Sequence, residues 1–217
     1  MHAHVFRIVL GMALGLGCTF SAAQAADAGD PVFPVDMERK ARAELMYENR
    51  RRDLDNGETF KADAYTLRIH TDVGQYAYLD FDVGGISPQG GDLEFYGGIG
   101  LRYLAYDAET FRISPFAQVH YAPGLKTRTA RDFDLVEFDA GILVAGKWRL
   151  DDQLTLIPYI GPMVSILRFS SDLDAREDNP VGGVAGLSLL MPGQNTFRFE
   201  MQVFDGVSFS VAAGIAF

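Results

Sequence analysis

The chain has 217 residues, 48% of them hydrophobic, and a formal net charge of −10. That length suits one domain, and the negative charge excludes a general affinity for nucleic acid, which rests on a basic phosphate-binding surface. Cys18 is the only cysteine, so disulfides and thiolate metal sites are excluded from everything after it.

The first stretch, MHAHVFRIVLGMALGLGCTFSAAQAAD, has one arginine, an apolar run from Ile8 to about Phe20, and then Ala23-Gln24-Ala25. This is the three-part layout of a secretory signal peptide over residues 1–25. The run falls short of the roughly 20 apolar residues of a spanning helix. A lipoprotein cut before Cys18 is the rival, but Gly15-Leu16-Gly17 sets leucine one place from where such a box has it. Residues 26–38, with Pro31 and Pro34, form a short periplasmic lead-in, and residues 39–217 form one further domain.

That domain alternates with period two nearly throughout. Ala77, Leu79, Phe81 and Val83 oppose Tyr76, Tyr78, Asp80 and Asp82. Leu93, Phe95, Ile99, Leu101 and Tyr103 oppose Glu94, Tyr96 and Arg102, and Phe197, Phe199, Met201 and Val203 oppose Arg198, Glu200 and Gln202. Such alternation puts the two sets on opposite faces of strands. Ten strands are predicted, at about 40–49, 60–70, 75–84, 92–106, 109–122, 134–149, 153–168, 181–190, 195–204 and 206–217, with eight as the runner-up.

Connections alternate in length. HTDVGQ, DAE, DDQ and MPGQN are short, whereas NRRRDLDNGET, GGISPQGGD, APGLKTRTARDFD and SSDLDAREDNP are longer and polar. Short periplasmic turns and longer external loops are the habit of outer-membrane barrels. If the last strand ends in the periplasm, every short turn lies there. The last external connection is then a three-residue loop, Phe204-Asp205-Gly206, with Val203 and Val207 on one face; glycine suits its left-handed position. Tyr103, Phe111, Trp148, Phe197 and Phe217 fall near periplasmic strand ends, where an aromatic girdle belongs. A soluble β-sandwich is the competing fold, with the same alternation turned inward. The expectation is an all-β, single antiparallel transmembrane barrel.

The final strand carries Phe209, Val211, Ala213, Ile215 and Phe217 at alternate places. It resembles the C-terminal strand of bacterial outer-membrane barrel proteins, and the whole pattern resembles the small-barrel class of OmpA and OmpX. The resemblance implies that these five residues act as an assembly signal for the barrel-assembly machinery. It departs from that class in strand number and in having no C-terminal periplasmic domain.

The inward face is predicted to hold a polar network of Arg42, Glu44, Arg68, Asp80, Asp82, Glu94, Arg102, Arg112, His120, Glu137, Asp139, Lys147, Arg149, Arg198 and Glu200, with Glu48 and His70 on the same face. Tyr76, Tyr78, Tyr96, Phe116 and Tyr159 share that face and narrow it. Buried charges need partners, so one outcome is an occluded structural or surface-interaction barrel. The other is a narrow channel for ions or small polar solutes, since ten strands enclose more room than eight. A lipid-modifying hydrolase is a remote third: it needs a Ser–His pair open to lipid, and parity turns His70 and His120 inward. No catalytic, cofactor or metal residues are assigned. In the external loops, Arg50, Arg51 and Arg52 are candidates for lipopolysaccharide phosphates. Asp172, Asp174 and Asp178 are spaced faintly like a calcium loop but lack its remaining ligands.

One register is specific enough to test. A three-residue turn at Asp107-Ala108-Glu109 sets Gly100 opposite Phe116, Gly98 opposite Gln118 and Tyr96 opposite His120.

Overall fold

The computed structural model describes residues 41–73, 76–89, 91–108, 110–126, 133–151, 153–171, 175–176, 178–192 and 195–217. The leader and lead-in expected over residues 1–38 lie outside the described residues, as do Glu109 of the proposed turn and the loop acids Asp172 and Asp174.

Twelve strand segments follow in chain order: β1 (Arg42–Asp53), β2 (Thr59–Asp72), β3 (Ala77–Pro88), β4 (Glu94–Tyr103), β5 (Tyr106–Asp107), β6 (Phe111–Leu125), β7 (Phe133–Gly146), β8 (Trp148–Arg149), β9 (Thr155–Ser171), β10 (Val181–Leu190), β11 (Thr196–Val203) and β12 (Val207–Ala216). The two-residue β5 and β8 extend the pairings that β4 makes with β6 and β7 makes with β9. The result is a ten-strand antiparallel barrel. It closes where β1 pairs with β12, from Arg42↔Ala216 to Asn49↔Phe209. Closure leaves no strand edge, the condition for sheet to cross lipid.

The face assignment separates a membrane barrel from a soluble one. Phe81, Val83, Ile99, Leu101, Ile142, Val144 and Phe199 point outward and are 41–49% exposed, whereas their chain neighbours Asp82, Arg102 and Leu143 are at most 7% exposed. Tyr103, Tyr106, Phe111, Trp148, Phe197 and Phe217 ring the short-turn end. Tyr47, Tyr65 and Phe209 form a second aromatic group toward the long loops, with ring centroids 5.3 and 6.4 Å apart. Phe95 and Tyr103 end the outward row of β4, roughly 27 Å apart at about 3.4 Å per residue. Strand tilt reduces that to about 20 Å, close to the apolar band of roughly 25 Å on such barrels.

Several strands run further toward the long loops than the sequence pattern predicts. β1 continues through Arg50, Arg51 and Arg52, β3 reaches Pro88, and β9 reaches Ser171. The even-numbered row of β1 therefore carries Arg50 and Arg52 into the interior, both buried, rather than leaving them in an external loop. Tyr76 also departs from expectation: it sits in the β2–β3 turn, where strand parity does not apply, and is exposed.

The predicted Asp107-Ala108-Glu109 register is shifted by two. Gly100 pairs with Gln118, Gly98 with His120 and Arg102 with Phe116. The cause is a longer connection: β4 stops at Tyr103, Leu104 and Ala105 break the ladder, and the turn closes with the Ala108 amide donating to the Phe111 carbonyl at 3.0 Å. An even shift preserves every face. The Phe204-Asp205-Gly206 loop forms, with Val203 paired to Val207, but Gly206 does not take the expected left-handed conformation.

Candidate functional site: a charged lumen beneath an apolar plug

The long-loop mouth is filled by inward apolar side chains. Leu54, Phe60, Ile86, Leu125, Phe133, Leu135, Leu167 and Phe169 form one buried cluster, and Ala175 of the β9–β10 loop joins it. Phe169 packs between Phe60 and Phe133, tilted to the first and edge-on to the second, at centroid distances of 5.0 and 5.5 Å. Two loops are strapped together above it. The Asp55 amide donates to the Arg176 carbonyl at 2.9 Å, the Arg176 amide to Asp55 Oδ1 at 3.1 Å, and the Asp178 amide to the Asp53 carbonyl at 3.1 Å.

Beneath the plug the lumen is ionic. Arg68 grips Asp82 with two hydrogen bonds of 2.7 Å, Nε to Oδ1 and Nη2 to Oδ2, the fork geometry in which guanidinium–carboxylate pairs are strongest. Asp82 Oδ2 also lies 2.7 Å from His120 Nε2. Toward the short turns a second chain runs Arg102–Asp80–His70–Glu44–Arg198. Arg102 Nε donates to Asp80 Oδ2 at 2.7 Å, and His70 Nδ1 is 2.6 Å from Asp80 Oδ1. His70 Nε2 is 3.3 Å from Glu44 Oε2, which accepts from Arg198 Nη2 at 2.9 Å.

Nearer the plug, Arg50 bridges Glu48, at 2.9 Å, and Glu137, and its guanidinium lies over the Tyr96 ring at 4.9 Å. Arg52 donates to Gln202 Oε1 at 2.8 Å and to Ser208, and covers the Phe204 ring at 4.3 Å. Glu200 accepts from Tyr159 at 2.7 Å and from Gln202 at 3.0 Å. Desolvating so many charges is costly unless each is paired and hydrogen-bonded; here most are.

The opposite wall is apolar. Leu104, Leu143, Ile157, Met163, Val184 and Leu190 cluster there, with Phe116 and Phe204 packed against them. Between the walls lies a small cavity, partly open to solvent, lined by Glu48, Arg68, Tyr96, His120 and Asp139 on one side and Leu143, Met163 and Val184 on the other.

Of the predicted network, Glu44, Arg68, Asp80, Asp82, Arg102, His120, Glu137, Asp139 and Arg198 are buried together, and Glu200 borders them. The remaining five stand apart. Arg42 and Glu94 are half-buried at opposite strand ends. Arg112 pairs at the rim with Asp107, Nε to Oδ1 at 2.6 Å. Lys147 is half-buried and Arg149 exposed. The β7–β9 register continues unchanged into β8, from Ala145↔Tyr159 to Arg149↔Thr155, so these two residues keep the inward parity but sit at the short-turn rim rather than in the buried layer.

Arg50 and Arg52 belong to the site although the sequence pattern placed them in a loop. The signal for them was the continuation of the even row Glu44, Met46, Glu48, Arg50, Arg52 past the apolar odd row, which ends at Tyr47. His120, Glu137 and Asp139 also converge, with one ligand-capable atom from each within 4.8 Å of the others. Of these, Glu137 and Asp139 sit two apart on β7, while His120 comes from the neighbouring β6.

An outward apolar belt, girdles at both ends and an ionic interior define the class: a small, single-chain transmembrane β-barrel of the outer-membrane type. No protein-family model and no curated protein sequence matches the chain. Solved structures similar to it include an outer membrane channel from Pseudomonas putida F1, at 13% identity, 90% of this chain, 100% of that chain and a TM-score of 0.42. The translocator domain of the autotransporter NalP from Neisseria meningitidis gives 12%, 100%, 95% and 0.42. Ail, the attachment invasion locus protein of Yersinia pestis, gives 14%, 83%, 100% and 0.38. At such values the fold rests on the closed strand ladder itself.

Proposed function

We propose that this chain is an occluded outer-membrane barrel whose work is structural or surface contact through its long-loop end. The observation that carries the reading is the apolar plug, with Leu54 and Ala175 packed into it from two loops that hydrogen-bond to each other. An apolar constriction excludes hydrated ions because the charge must shed its water to pass. The paired ionic layer beneath then acts as filling and as a brace between distant strands. Planar-bilayer recording on the purified barrel tests this: the proposal expects no reproducible open steps, and stable single-channel steps from the wild-type chain would refute it. A second reading, a narrow channel for ions or small polar solutes, is favoured by the solvent-connected cavity under the plug. It expects those steps and their alteration in Asp80→Asn or Arg102→Gln.

The same proposal includes location and partners. Residues 1–25 direct export and are removed, and the barrel inserts among outer-membrane lipid and lipopolysaccharide. Arg51 and Lys61 support a lipopolysaccharide contact, since they are directly opposed on the outward face of β1 and β2 and both exposed. Like charges so placed repel, and a phosphate between them relieves that. The outward row Phe209, Val211, Ala213, Ile215 and Phe217 is offered to the barrel-assembly machinery. We propose no catalysis. His70 and His120 both face lumenal carboxylates rather than a lipid-facing hydroxyl, so neither serves as the base of a lipid hydrolase.

A further inference from the structure

The buried charges do not balance evenly along the lumen. Arg68 answers Asp82, Arg102 answers Asp80, and Arg198 answers Glu44. Around His120 the pattern fails. Arg50 alone is shared by Glu48 and Glu137. Asp139, 3% exposed, receives the neutral amide of Gln118 on Oδ2 at 2.9 Å and lies across the ladder from the neutral Ser165, while its Oδ1 has no hydrogen-bond partner among the described residues. His120, also 3% exposed, has its Nε2 held by Asp82 at 2.7 Å, while its buried Nδ1 has no hydrogen-bond partner among the described residues.

One ligand-capable atom from each of His120, Glu137 and Asp139 lies within 4.8 Å of the other two. His120 Nδ1 is 3.8 Å from Glu137 Oε2, too long for a hydrogen bond, whose N···O distance runs to about 3.2 Å. Two ligand atoms each about 2.0–2.2 Å from a shared zinc stand roughly 3.4 Å apart at the tetrahedral angle, so the His120–Glu137 pair reaches that spacing by closing a few tenths of an ångström, and all three groups, within 4.8 Å of one another, converge on it. The Asp82 contact is the outer-shell device that fixes a ligating imidazole: a carboxylate accepts one ring N–H and leaves the other nitrogen's lone pair free. The ring is further held by Tyr96, stacked at 5.0 Å with 15° between planes, and by Gly98, whose missing side chain leaves the ring its space.

We propose that His120 Nδ1, Glu137 and Asp139 form a site for one divalent transition-metal cation with the nitrogen–oxygen preference of zinc. Two carboxylates and a neutral imidazole suit such an ion better than magnesium or calcium, which favour all-oxygen shells. The ion supplies the positive charge that Asp139 lacks and ties β6 to β7 just below the plug. The inference stands whether or not the lumen conducts.

The test uses the wild-type barrel purified in detergent after refolding in chelator. Zinc is titrated by calorimetry, and 15N-labelled histidine is followed by NMR. The expected result is one zinc per chain, a large shift of the His120 Nδ1 resonance, and no competition from excess magnesium. Asp139→Asn is expected to weaken binding by more than the roughly 10–100-fold that loss of an outer-shell partner costs. Absence of saturable zinc binding by the wild type overturns the proposal. So does zinc binding that leaves the His120 resonances unmoved, because the ion is then elsewhere. The wild-type spectra decide the matter even if the variant does not fold.

Discussion

Phe116 lies directly across the β6–β7 ladder from Gly141, and its ring fills the lumenal space that a side chain on Gly141 would take. A Cβ built there stands 2.7 Å from Phe116 Cε1 and 2.7 Å from the Pro162 carbonyl oxygen. The latter is backbone and cannot swing aside. Gly141→Ala is therefore expected to lower stability by about 1–3 kcal/mol, the usual cost of overpacking. Gly100→Ala, whose Cβ meets Asp80 and Gln118 side chains at 3.3 Å, is expected to cost less. Urea unfolding midpoints in lipid vesicles give the comparison, and equal midpoints for Gly141→Ala and wild type count against it.

The same device recurs. Gly98 faces His120 and Gly186 faces Tyr159, each with a built Cβ 2.1 Å from the opposing ring. That glycines sit opposite lumenal rings was legible in the sequence, because both residue types fell on the inward parity. The pairs were not legible. They depend on the length of one turn, and Leu104 and Ala105 give no periodic sign that they leave the ladder. Strand faces survived because the error was even. The rim charges kept their face too, since the β7–β9 register runs on through β8, but parity says nothing about depth: Lys147 and Arg149 lie at the short-turn end, outside the buried layer. Arg50 and Arg52 were missed for the reverse reason: three successive arginines look like solvent-exposed loop, and only the closed lumen supplies Glu48, Glu137 and Gln202 to receive them.

Arg68 and Asp82 make a second prediction. Removing one partner of a buried pair strands the other, at a cost of about 3–5 kcal/mol. Arg68→Met should destabilise the barrel on that scale. Arg68→Met with Asp82→Asn should recover much of the loss, with His120 remaining as a neighbour of the amide. Unfolding in lipid vesicles measures both, and additive losses in the double variant would contradict pairing as the cause.

The plug predicts a gain of conductance. Phe60→Ala with Phe169→Ala removes two rings that touch at a centroid distance of 5.0 Å. Each truncation should cost about 3–5 kcal/mol of stability, so the recording is made on the fraction that stays folded. Open steps are expected from the double variant and not from wild type. Silence from a folded double variant would mean that the ionic layer, not the plug, closes the lumen.

Phe217 completes the outward row of β12 and is 55% exposed, while its backbone amide still bonds to the Ala41 carbonyl at 3.1 Å. Phe217→Asp keeps that bond and changes only the side chain. It should reduce the amount of heat-modifiable, membrane-inserted protein in cells. Unchanged levels would remove this residue from the assembly signal.

The central claim is that apolar residues face lipid and charged ones face a closed interior. Adjacent positions on β7 test it most directly. Ile142 is 48% exposed on the outward face and Leu143 is 4% exposed inside. In a chain lacking residues 1–25, which removes the only natural cysteine, Ile142→Cys and Leu143→Cys are labelled with a fluorophore in vesicles containing brominated lipid. Strong quenching at 142, with a label at 143 that is unquenched or fails to attach, is the predicted result. Quenching at 143 and not at 142 would mean that the barrel is turned inside out relative to this account.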